Sequence, residues 1–213
     1  MKMARIAGLE YKEATDRMTN ALRGFNMEIN NTNAEHVADV YSKLAAMSAS
    51  NVEELSKAMT KTASLANSAN MSFDNTAAFL AQIIETTRES AETAGTALKT
   101  VIARFSEVKS LFSKGELMGD IEGEEVNVNK VGAALRAAGV DLNEFMTGAK
   151  GLDEIFIELA SKWDSLDLLT QRYIATMAAG SRQQSRFLAL MSDNARLTEL
   201  LNGAYNATGA SSE

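Results

Sequence analysis

"AETAGTALKTVIARF", residues 91–105, decides the fold. Ala94, Ala97, Leu98, Val101, Ile102 and Phe105 recur at three- and four-residue spacing, and Val108 carries the stripe on. That is the period of an amphipathic helix. Gly95, Lys99 and Thr100 look at first like the end of a phosphate-binding loop. Such a loop needs a Gly directly before the Lys and a strand before the loop. Here Leu98 precedes Lys99 and a helical pattern precedes the motif, so the stretch reads as a helix start and not as a nucleotide site. Ser90 suits its N-cap and Glu92 its first turn, where the helix dipole favours an anion. The small residues Ala94, Gly95 and Ala97 predict a close approach by a neighbouring helix.

The same spacing extends on both sides. Ala34, Val37, Ala38, Tyr41, Leu44 and Ala45 form one stripe; Val52, Leu55, Met59, Ala63 and Ala66 form a second, opened by Ser50 and Glu53 as a capping box. Ser72 caps a third, with Phe73, Ala77, Leu80, Ala81 and Ile84 on one side, and Phe79 and Ile83 widen it toward burial on more than one face. Further on, Leu152, Ile155, Phe156, Leu159, Ala160 and Trp163 make a wide stripe, with Trp163 as a core anchor. Ser165 is read as starting the next helix, which runs to Gly180 with Tyr173, Ile174 and Met177 inward. Ser181 and Gln184 then suggest a new capping box, and Phe187, Leu190 and Met191 continue inward. "NATGASSE", 206–213, reads as a frayed end.

Two stretches break the pattern. In "SKGELMGDIEGEEVNVNK", 113–130, Gly115, Gly119 and Gly123 interrupt any helix, and Ile121, Val126 and Val128 suit at most one small β-hairpin near 117–129. Its acidic residues do not follow the order of a calcium loop and read as a solvated turn. A turn or hairpin is expected at 139–151, "GVDLNEFMTGAKG".

Composition agrees with helices. The 213 residues include no Pro, where a β-rich chain would carry several in its turns, and Ala, Leu, Met, Glu and Lys abound. The fold class expected is all-α, a multi-helix globular domain. No Cys is present, which removes disulfides, thiolate metal sites and cysteine nucleophiles. No apolar run reaches the ~20 residues of a membrane span. The net charge of -7 argues against a nucleic-acid surface.

Little chemistry suggests itself. His36 is the one histidine and lies off its helix's apolar stripe, which suits a surface position better than a catalytic one. A carboxylate pair for glycoside hydrolysis could be drawn from 28 acidic residues, yet nearly all fall on solvent faces or helix starts. No residue is therefore assigned to catalysis, to a cofactor or to a metal. Arg182 and Arg186 are four apart and share a helix face. With Gln183, they form either an ordinary solvated face or a docking point for partner carboxylates, in "AAGSRQQSR", 178–186.

"NVEELSKAMTKTASLANSANMSFDNTAAFLAQIIETTRESAETAGTALKTVIARF" and, later, "LDEIFIELASKWDSLDLLTQRYIATMAAGSRQQSRFLALM" resemble the two halves of the conserved N-terminal region of phage tail tape measure proteins of the TP901 type. The resemblance covers about 34–194. It leaves 1–33 as a helical segment outside it and 195–213 as a helix end and frayed tail. It implies a structural, non-enzymatic virion component of a phage or prophage tail, acting in tail length determination, tube assembly and DNA ejection. Implied partners are tail tube, tip or hub proteins, assembly chaperones and further copies of the chain. The implied location is the virion tail, with the host cytoplasm during assembly. Tape measure proteins are much longer than 213 residues, so the resemblance also implies a piece of a longer protein. A helical interaction module and a cell-wall hydrolase domain are the alternatives; the hydrolase usually brings a His/Cys or His/Asp site absent here.

Overall fold

The computed structural model describes residues 2–113 and 128–212. The helices are α1 (Lys2–Ala7), α2 (Tyr11–Gly24), α3 (Asn31–Met47), α4 (Val52–Ser68), α5 (Phe73–Thr87), α6 (Ala91–Ser113), α7 (Val128–Ala137), α8 (Asn143–Thr147), α9 (Leu152–Lys162), α10 (Leu168–Met191) and α11 (Asn194–Tyr205). Short 3-10 turns follow α9 at Trp163–Ser165 and α11 at Ala210–Ser212. No strand occurs among the described residues, and the fold class is all-α. The hairpin expected near 117–129 lies outside the described residues except at its end, where Val128 opens α7.

The all-round apolar pattern of α5 makes it the central helix. Every residue from Asn75 to Ile84 is buried, and α3, α4, α6, α10 and α11 pack around it. Within this packing, α4 against α6 is the most extensive helix pair. Leu98, Ile102 and Phe105 on α6 are all buried. Phe105 sets its ring edge-on to Phe156 of α9 at 5.4 Å and to Phe145 of α8 at 6.5 Å. Trp163 packs edge-on to Phe187 at 6.1 Å as a buried core side chain. A second aromatic group, Phe25, Tyr41 and Phe73, closes the other end, with centroids 5.4 and 5.6 Å apart.

Caps and ends carry the corrections. The capping box of α4 is Asn51 with Glu54, one residue beyond Ser50 and Glu53. The Asn51 side chain accepts from the Glu54 N–H at 2.8 Å and Glu54 accepts the Asn51 N–H at 3.0 Å. Ser72 caps α5, accepting the Asn75 N–H at 3.1 Å, and Ser90 accepts the Thr93 N–H at 3.3 Å at the start of α6. The stretch 139–151 contains the one-turn helix α8 and no hairpin. α10 starts two residues later than Ser165 suggested, because Asp167 accepts the Thr170 N–H at 3.0 Å.

The C-terminal stretch is docked as far as Ser212, and no frayed end is found among the described residues. α11 buries Leu197, Leu200, Leu201 and Ala204 against α5 and α3. Beyond it, the carboxylate of Asp39 on α3, itself buried, accepts the N–H groups of Gly209 at 2.7 Å and Ser211 at 2.9 Å. One hydrophobic core thus runs from Met3 to Ala207.

Candidate interaction surface

Gly180 breaks α10 with φ 70 and ψ 166, a region that is essentially glycine's alone. The two arms, 168–179 and 181–191, fold back sharply. The Gln184 side chain donates to the carbonyl of Arg172 at 3.1 Å, whereas residues twelve apart in a straight helix are separated by about 18 Å along the axis. The helix end expected at Gly180 is therefore present as a corner. No Ser181–Gln184 capping box forms, because Gln184 serves Arg172 instead.

The structure separates the three residues singled out at this corner. Arg182 is exposed. Gln183 is half-buried, and its Oε1 has no hydrogen-bond partner among the described residues. Arg186 is engaged: its fork holds both oxygens of Glu89, Nε to Oε2 and Nη2 to Oε1, each at 2.6 Å, and Nη1 donates to the Arg182 carbonyl at 2.8 Å. The hydrogen-bonded ion pair lowers the Glu89 pKa and raises that of Arg186. Arg186 thus ties α10 to the connection between α5 and α6, and its donors are not free for a partner.

Other residues supply what the corner presents. The Arg104 guanidinium lies beside Gly180, where a Cβ would stand 2.7 Å from it, and it donates to the Met177 carbonyl at 3.4 Å. On the first arm Leu168, Leu169 and Tyr173 are 59%, 77% and 44% exposed. Tyr173 therefore faces out, against expectation, because the arm buries Ile174, Ala175 and Ala178. A signal for this was available in "LLTQRY", 168–173, which carries more large apolar residues than one inward stripe needs.

Elsewhere, His36 Nε2 lies 2.7 Å from Asp74 Oδ1, joining α3 to the first turn of α5. That hydrogen bond raises the His36 pKa above its ordinary 6.5. Asp153 of α9, buried, accepts from the Ser72 N–H at 2.9 Å and the Asn75 side chain at 2.8 Å, and Tyr205 donates to Asn75. These contacts knit α5, α9 and α11 together. A groove of about 540 Å³ between α1, α2 and α3 is walled by Met3, Met18, Leu22 and Ala34 and rimmed by Tyr11 and Ile29. Among the described residues, no group of His, Asp and Glu side chains is placed to hold a metal ion. No described helix is long and apolar enough to cross a membrane.

The comparisons with known proteins agree with one another. The family described as phage-related minor tail protein matches residues 1–181, beginning ahead of the resemblance seen from residue 34. The tape measure protein of Pneumococcus phage Dp-1 is 24% identical over 221 residues, which cover 97% of this chain and 19% of that protein. The chain thus spans about a fifth of the length of that relative. No solved structure matches significantly. Matched by this family over most of its length, and similar over nearly all of it to a tape measure protein, the chain belongs to the phage-related minor tail protein family.

Proposed function

We propose that this chain is the part of a tape measure protein that is engaged by other tail proteins while the tail grows. In this reading it acts as a structural component in tail length determination, tube assembly and DNA ejection. It resides in the virion tail and, during assembly, in the host cytoplasm. Its partners are tail tube, tip or hub proteins and assembly chaperones, with several copies held together. In this reading the conserved tape-measure helical domain is 34–194. The observation that carries the reading is the family match over residues 1–181. The fold is in keeping with a docking role: it is a packed helical body whose polar networks join helices to each other. The docking face proposed at 178–186 retains Arg182 as its exposed cation, while Arg186 serves the fold.

An in-frame deletion of residues 31–205 from the parent gene tests this, with electron microscopy of the lysate. Tails should be missing or of irregular length. Normal tails of uniform length would overturn the reading.

A further inference from the structure

We propose that the outward face of the first arm of α10, Leu168, Leu169 and Tyr173 with Arg172 among them and Arg182 on the second arm, docks an amphipathic helix of another tail protein whose apolar face is bordered by carboxylates. The proposal rests on the reading above, that this chain works among tail proteins.

Clustering is the first argument. Six large hydrophobic side chains are exposed among the described residues, and three of them fall within 168–173. Scattered exposed apolar residues are ordinary, whereas a contiguous group marks a contact surface. The arm's inward side is already filled by Ile174, Ala175 and Ala178, so Leu169 and Tyr173 are not displaced core. They stand four apart, one turn of the same ridge. No strand edge is present among the described residues for a partner to extend. A helix laying its own ridge along this one is the fitting occupant.

Charge gives the second argument. Arg17, Arg186, Arg196, Lys57, Lys150 and Lys162 each hold a glutamate. Arg172 and Arg182 are exposed and have no carboxylate partner among the described residues; the same holds for Arg23, Arg88 and Arg136 elsewhere, but Arg172 lies within the apolar cluster itself. Arginine forks suit carboxylates, and desolvating them beside an apolar patch calls for such partners. A second copy of this chain matches the face less well. In a two-fold contact of this face with itself, a second copy would set Arg172 and Arg182 against the same arginines.

The test uses the full-length parent protein in assembled tails. A photo-crosslinking phenylalanine analogue replaces Leu169, purified tails are irradiated, and the joined peptides are sequenced by mass spectrometry. Should that probe block assembly, the same probe at Leu168 is used. The expected product joins this face to a different tail protein, at a segment with apolar residues three and four apart and Asp or Glu on its borders. Arg172→Glu with Arg182→Glu should lower the yield about tenfold, and reversing the partner's carboxylates to Lys should restore it. A product with a second copy of this chain, with another segment of the same chain, or with DNA overturns the proposal. So does an unjoined probe in tails of normal length, a result that leaves the tail reading in place. Absence of the protein from purified tails would instead overturn that reading.

Discussion

Gly95 of α6 lies so close to Ala58 of α4 that a Cβ on it would stand 2.5 Å from the Ala58 carbonyl oxygen. Thr62 marks the same approach, its hydroxyl lying 3.1 Å from the Gly95 carbonyl and 3.2 Å from that of Ala58. Backbone, not a flexible side chain, occupies the space. Gly95→Val should therefore separate the two helices and destabilise the chain by about 3 kcal/mol, seen in thermal or urea unfolding. Gly95→Ala should also lose stability, despite about 1 kcal/mol of gained helix propensity. Stability equal to the parent in the Val variant would mean that α4 and α6 do not meet here.

Phe105→Ala removes the ring that joins α6 to α8 and α9. A loss of about 3–5 kcal/mol is expected, with the near-ultraviolet circular dichroism of the aromatic group altered. A loss below about 1 kcal/mol would place the ring at a surface.

These helices were legible because a stripe on a helix fixes what it buries without reference to the partner. The run from Ala94 to Phe105, the all-round burial of α5 and the core place of Trp163 all follow from local spacing. Single-residue offsets were not legible: Ser50 with Glu53 and Asn51 with Glu54 both satisfy the capping pattern, and only packing chooses between them. The candidate surface was legible only in part. Spacing puts Arg182 and Arg186 on one face, but Glu89, which engages Arg186, is 97 residues away in sequence. Likewise "NATGASSE" looks frayed by composition because its anchor, Asp39, lies 170 residues before Gly209.

That anchor supplies a further test. Asp39→Ala leaves two inward backbone N–H groups without acceptors and should cost about 1–3 kcal/mol. Limited proteolysis should then cleave near 206–212 well before the rest of the chain. Unchanged protection of that end would show that it is held by other contacts.

His36 gives a pH dependence with a definite sign. Its pKa is raised, chiefly by the hydrogen bond to Asp74. The contact therefore stabilises fully below the ordinary value of 6.5 and weakens as pH rises through the higher folded value. Because the ring is half-exposed, the effect should stay under about 1 kcal/mol. As the one histidine of the chain, its ring resonances can be followed by NMR without assignment. A midpoint above 6.5 that falls toward 6.5 in Asp74→Asn is expected; the same midpoint in both proteins would contradict the pairing.

The central claim is that this helical body belongs to the tail. Quantitative mass spectrometry of purified tails tests it most directly, by counting peptides from residues 52–105 and 152–191 against those of the tube subunit. The account predicts that both sets are present in tails freed of capsids, at a low copy number that stays fixed from one preparation to the next. Their absence from purified tails, with the protein abundant elsewhere in the lysate, would contradict it.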